Sequence, residues 1–195
     1  MKKIILLALL TLAFANGYSQ EKGKFRVGLD FGFVPSDGGG GAMFSLEPKY
    51  NIQDNMNIGL RIGVAAIIRD LNTDGSSSSA KVSANGSYVG TYDYYFHKSG
   101  SSFAPYIGAG VGYYSLANVE FDDTASETIN PEVTGEMGAL IRGGFEWGKF
   151  RMGVEYNLVP DSDLENSNGD KVGTASNTYV GIHLGFYLGG GKWGE

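Results

Sequence analysis

The chain has 195 residues, a formal charge of −6 and no cysteine, with 31 glycines, 12 tyrosines and 11 phenylalanines against 5 prolines. That length suits one domain; the missing cysteines exclude a disulfide framework and cysteine metal sites, and the acidic balance argues against a nucleic-acid partner. Abundant glycine and aromatics with little proline fit a sheet protein better than a disordered one.

Residues 1–19 read as a secretory signal peptide, with Lys2 and Lys3 ahead of an apolar run over 4–14 and then small and polar residues. The run is too short for a spanning helix, and no cysteine follows it to carry a lipid. Cleavage after Gly17 or Ser19 leaves an exported domain over about 20–195, and losing both lysines takes the formal charge from −6 to −8.

Beyond that segment, apolar residues recur with a period of two rather than 3.6. The alternation predicts strands over 24–35, 41–52, 56–69, 86–98, 103–117, 133–147, 150–159 and 176–189. In the first, Phe25, Val27, Leu29, Phe31 and Phe33 share one face, and Arg26, Gly28, Asp30 and Gly32 the other. In the seventh, Phe150, Met152, Val154, Tyr156 and Leu158 oppose Arg151, Gly153, Glu155 and Asn157. In the last, Val180, Ile182, Leu184, Phe186 and Leu188 oppose Tyr179, Gly181, His183 and Gly185.

The connections alternate in character. Turns at 53–55, 99–102 and 148–149 are short, whereas "DLNTDGSSSSAKVSAN", "NVEFDDTASETINPE" and "DSDLENSNGDKVGTA" are long and polar, and "SDGGGG" is a short exception among them. Short turns at one end and long loops at the other are the layout of outer-membrane barrels, with both termini on the turn side and an even strand number. "GGGG" at 38–41 and "GGGK" at 189–192 lack the ending of a phosphate loop and read as flexible connection. "GAGVG" at 108–112 lies inside a strand with no helix after it, which excludes a dinucleotide fingerprint.

Turn chemistry sets the hairpin registers. A two-residue turn at 148–149, with Gly148 supplying positive φ, places Glu146 opposite Arg151 and Arg142 opposite Glu155. The turn at 53–55 places Glu47 opposite Arg61. All three are opposite charges on the mixed face, and such pairs are obligatory if that face is enclosed.

The mixed face also holds Gly59, Gly63, Gly108, Gly110, Gly112, Gly138, Gly144 and Gly153, the small residues that a narrow barrel interior requires. The opposite face is almost free of charge, and Phe25, Phe33, Tyr50, Phe96, Phe145, Trp147, Phe150 and Tyr156 stand near its strand ends like interfacial girdles. The oily face is therefore expected to meet lipid. The expected fold is all-β: a closed antiparallel transmembrane barrel of about eight strands in an up-and-down meander.

The leader, the turn-and-loop alternation, "APYIGAGVGYY" and the closing "TYVGIHLGFYL" resemble small eight-stranded outer-membrane barrels of the OmpA/OmpX type, over Lys24 to about Leu188. The resemblance implies the bacterial outer membrane, with outer-membrane lipid, lipopolysaccharide and the barrel-insertion machinery as partners. Members commonly end on an aromatic residue; here "GGGKWGE" follows Leu188, leaving Phe186 or Trp193 for that part.

Parity sends Arg26, Asp30, Glu47, Lys49, Arg61, Asp93, Glu136, Arg142, Glu146, Arg151, Glu155 and His183 into one interior charge network. Glycines at 181 and 185 flank His183 where a nucleophile would be needed, so a buried, hydrogen-bonded histidine is the expectation. His97 and Ser99 have a base–nucleophile spacing, but at the turn end, away from the outer leaflet. Asp161, Asp163 and Glu165 open like a calcium loop, yet Asn166 and Val172 stand where glycine and glutamate are required. Weak divalent-ion bridging from Glu120, Asp122, Asp123, Glu127 and those three acids to lipopolysaccharide is a lesser expectation. "NGS" at 85–87 reads as a loop entering a strand rather than a glycan acceptor.

The functional expectation is a structural or surface-interaction barrel with a filled interior, acidic outer loops able to meet an extracellular ligand, and no wide pore, catalytic residue, metal or organic cofactor. Two rivals stand beside it: a barrel enzyme modifying lipid A or another outer-leaflet lipid, and a soluble lipocalin-like binder with its greasy face inward.

Overall fold

Alternating side chains send each strand's polar row to one side and its apolar row to the other, and a sheet of such strands has to bend round one of them. A computed structural model of the chain, describing residues 22–36, 39–71, 79–98, 100–121, 133–165 and 171–191, shows which. The strands are β1 (Phe25–Ser36), β2 (Gly39–Gln53), β3 (Met56–Leu71), β4 (Ser79–Tyr95), β5 (Phe103–Phe121), β6 (Val133–Trp147), β7 (Phe150–Leu158), β8 (Ser162–Glu165), β9 (Lys171–Ala175) and β10 (Tyr179–Gly189). Eight of them pair antiparallel with their neighbours and close, β10 onto β1, into an up-and-down barrel. No helix among the described residues is long and apolar enough to cross a membrane.

The register fixes the barrel's dimensions. From Tyr94 the paired residues run through Ile107, Gly143, Val154, Ile182, Phe33, Ala42 and Ala66 and return to β4 at Ala84, a shear of ten residues. With about 4.8 Å between strands and 3.3 Å per residue, eight strands with that shear tilt by about 40° and enclose a radius of about 8 Å. Such a space holds packed side chains and little else.

Face assignment follows parity throughout. The outward row is greasy, from Phe25 and Phe31 on β1 to Leu188 on β10, and Val111 remains 67% exposed. A ring of aromatics, Phe25, Tyr50, Phe96, Phe103, Trp147 and Phe150, marks the short-turn end. Phe145 belongs to it half-buried, tilted against Phe103 with ring centroids 5.1 Å apart. Toward the other end Phe33, Tyr88, Tyr113 and Tyr156 mark a second level.

Several sequence expectations need correction. The segment 79–85 is not loop but the start of β4, and 118–121 extend β5, so three strands of 16, 17 and 19 residues rise together past the greasy band. Gly39, Gly40 and Gly41 are strand rather than flexible connection, and Gly41 admits the backbone of β3 so closely that a Cβ would strike the Ala66 carbonyl. Asn85 of "NGS" is buried and inward-facing within β4. The β2–β3 turn is Asp54 and Asn55, preceded by a register shift between Asn51 and Gln53. Residues 176–178 precede β10, and the last polar connection contains a separate β8–β9 hairpin. Gly148 does adopt φ of +63°, and Trp147 faces Phe150 across its turn as the sequence requires. The leader at 1–19 and the acids at 122, 123 and 127 lie outside the described residues, as do Ser99 and Trp193.

Candidate functional site: the filled interior

Every expected network residue except Glu136 is buried inside the barrel, including His183. Among the described residues the interior holds five arginine or lysine side chains (Arg26, Lys49, Arg61, Arg142, Arg151) and five carboxylates (Asp30, Glu47, Asp93, Glu146, Glu155). The formal charges cancel when His183 is neutral, as burial of ions in a low-dielectric space demands. Glu136 sits half-buried at the loop end of β6 and makes no ion pair among the described residues, so it leaves the network.

Three tiers stack along the axis. Near the turn end, Arg26 grips Glu146 with two hydrogen bonds of 2.9 and 2.8 Å, and the Tyr95 hydroxyl donates to the same carboxylate at 2.7 Å. The guanidinium lies 3.7 Å from the centroid of the Tyr187 ring, a cation–π contact in a desolvated site. In the middle, Arg142 spans two acids, donating to Glu47 at 2.6 and 3.1 Å and to Asp93 at 2.8 and 2.9 Å. Lys49 closes on Asp93 and lies 3.4 Å from Glu47. Arg151 reaches Glu47 at 3.2 Å and Asp30 at 3.1 Å, and also donates to the Tyr187 hydroxyl. With its amide oriented by its neighbours, Asn57 donates to Asp93 and accepts from Arg26, tying this tier to the one below. Nearer the loops, Arg61 donates to Glu155 at 2.6 Å, which also accepts from Asn157 at 2.9 Å.

The ladder neighbours foreseen from the turns are correct: Glu146 faces Arg151 and Arg142 faces Glu155, while Leu46↔Ile62 and Lys49↔Gly59 bracket Glu47 against Arg61. The ion pairs nevertheless run elsewhere. Glu146 binds Arg26, Arg142 binds Glu47 and Asp93, and Arg61 binds Glu155, none of them on an adjacent strand. In so narrow a barrel, long inward side chains converge on the axis, where the opposite wall is as reachable as the adjacent strand.

Two features escaped the sequence reading. Five tyrosines are buried in the interior with the charges; parity foresees Tyr179 there, but not Tyr95, Tyr106, Tyr114 and Tyr187. Glycines make their room: a Cβ on Gly28 would lie 2.7 Å from the Tyr187 ring, and one on Gly153 would lie 2.5 Å from the Tyr106 hydroxyl. The loop end of the interior is also apolar, with Val34, Met43, Ala65, Ile67 and Tyr179 in one cluster and Val89, Tyr114, Leu140 and Val159 in another. Tyr95, Ala104 and Tyr106 close the turn end. The signal was available, since these residues share the parity of the glycines and charges.

The two histidines lie apart, one inside the barrel and one at the turn end. His183 meets the Tyr106 hydroxyl at 3.4 Å and the Glu155 carboxylate at 3.6 Å, between the bare backbones of Gly181 and Gly185. His97 bonds the Ser101 carbonyl at 2.8 Å. No cluster of metal-ligating side chains occurs among the described residues.

The sequence matches the model of the outer membrane protein beta-barrel domain family over residues 4–142, well over half of the chain. The chain belongs to this family. No curated protein matches it. Among solved structures, this outer-membrane barrel is similar to OprG from Pseudomonas aeruginosa at 14% identity, covering 89% of this chain and 99% of that one with a TM-score of 0.52. It is also similar to the N-terminal β-barrel domain of Pseudomonas aeruginosa OprF at 13% identity, covering 87% and 100%, with a TM-score of 0.49. The chain is accordingly placed in the bacterial outer membrane. That placement makes the outward grease lipid-facing and removes the soluble lipocalin-like alternative.

Proposed function

We propose that this barrel is a structural and surface-interaction protein of the outer membrane, without catalytic activity, cofactor or wide pore. The single observation that carries the proposal is the stacking of the interior: a neutralised ionic middle lies between an apolar plug at the loop end and a tyrosine layer at the turn end. A hydrated channel would leave inward charges exposed to water, whereas Glu47, Asp93 and Glu146 are each 0% exposed. The partners are outer-membrane lipid, lipopolysaccharide and an extracellular ligand met by the acidic outer loops, with divalent ions bridging those loops to lipopolysaccharide. The insertion machinery is a partner during biogenesis.

Planar-bilayer recording of the purified protein tests the proposal. Baseline conductance at both polarities is expected, and a large steady conductance would overturn the sealed interior. Mass spectrometry of lipid A from cells with and without the chain is expected to show identical acylation; a difference would restore the enzyme alternative.

A further inference from the structure

The lipid-facing surface is not evenly convex. A groove of about 510 Å³ is set into it across β1 to β5, within the range of pockets that hold small ligands, roughly 300–1,000 Å³. Its floor is built from Ala42, Ala66, Ala84 and Gly86, four small outward residues side by side, with Phe31, Phe44 and Val64 around them. Phe31 and Phe44, with ring centroids 5.0 Å apart, form one wall.

The shear fixes its height. Ala42, Ala66 and Ala84 are successive partners at the top of the ten-residue spiral that starts from Tyr94. A strand tilted by about 40° gains about 2.5 Å of height per residue. The groove therefore centres roughly 20 Å above the level of Tyr94, in the outer half of an apolar band about 25 Å tall.

We propose that this groove seats one acyl chain of an outer-leaflet lipid. No charged side chain lines it, and Ser115 is its one outward hydroxyl among the described residues. Asn85, the other polar residue beside it, is buried and faces inward, so a charged headgroup finds no ion to pair with there. The belt's solvent is hydrocarbon, and lipid tails are as apolar as leucine, so a second protein gains nothing from apolar contact alone and must bring close packing or hydrogen bonds. A floor of methyl groups below the surrounding rings offers a partner helix or sheet no matching flat face. A single flexible chain fits it, and ordering by the aromatic wall holds that chain longer than the bulk. The inference rests on the membrane placement and not on the sealed interior, so bilayer conductance and lipid capture fail independently.

The full chain is reconstituted in phosphatidylcholine vesicles doped with a phospholipid carrying a photoactivatable diazirine at mid-chain, and adducts are mapped by peptide mass spectrometry. Labelling of Phe31, Phe44 and Val64 is expected to exceed that of Tyr113 and Val180, outward residues at comparable height, by about fivefold, equivalent to about 1 kcal/mol. Filling the groove with Ala66→Leu and Ala84→Leu is expected to reduce the excess to background, with folding checked by gel mobility before and after boiling. Even labelling around the barrel overturns the proposal, as does a dimer in the same vesicles that the filled variant dissociates. If the filled variant fails to fold, the labelling map of the native chain still decides.

Discussion

Arg142 is the side chain on which the interior's charge balance most depends. Its guanidinium makes four hydrogen bonds to two acids that are both fully buried. Arg142→Met keeps an unbranched apolar stem and removes the cation, so the interior passes from neutral to a net charge of −1. Removing one partner of a buried pair costs about 3–5 kcal/mol, because the other charge is left uncompensated. Here the lower part of that range applies: Glu47 retains Arg151, Lys49 and the Thr91 hydroxyl at 2.7 Å, and Asp93 retains Lys49. The expected loss is thus about 3 kcal/mol, read as a shift in urea unfolding in lipid vesicles. Pairing the change with Asp93→Asn restores neutrality and is expected to recover most of the loss. If the single variant unfolds within about 1 kcal/mol of the native chain, water must be screening those acids, and the sealed-interior argument collapses.

Other outcomes test the remaining parts. Val154→Arg, at mid-height on the outward face, is expected to cost about 2–4 kcal/mol in bilayers, since a cation there must enter hydrocarbon. Cysteine probes at Val154 and Glu155 should report lipid contact for the first and shielding from both lipid and bulk water for the second; the reverse would falsify the face assignment. Gly153→Ala pushes a methyl into the Tyr106 hydroxyl and His183, and should cost about 1–3 kcal/mol of unfolding free energy. Gly90→Ala, whose added methyl would stand outward at 3.7 Å from the Val111 carbonyl, should unfold like the native chain.

Much of the architecture was legible because period-two alternation is a local property that every strand repeats. Parity placed eleven of the twelve proposed network residues inside, and the turn at Gly148 gave a register that the structure keeps. Pairing was not legible, because which carboxylate Arg61 or Arg142 reaches depends on the barrel's radius and shear, which no single hairpin contains. Four of the five interior tyrosines were missed for a related reason: an inward Tyr is indistinguishable from an outward one until strand parity is weighed against aromatic character, as it was only for Tyr179. The β8–β9 hairpin had a cue in the Asn168-Gly169 dipeptide, favoured in tight hairpin turns, but its flanks carry few β-branched residues. Segment 79–85 hid its strand in small, polar residues, since its first residues lie above the greasy band.

The ten-residue stagger also limits how this gene can drift. Deleting or adding one codon within a closing strand would turn that strand's salt outward into oil and its oil inward onto salt, on all residues beyond the change at once. Only a local bulge, like the register shift between Asn51 and Gln53, absorbs such a residue, because a ring has no free edge to slide along. A change of length costs least in the outer connections and tips, which can alter what they show their surroundings while the wall beneath keeps its count.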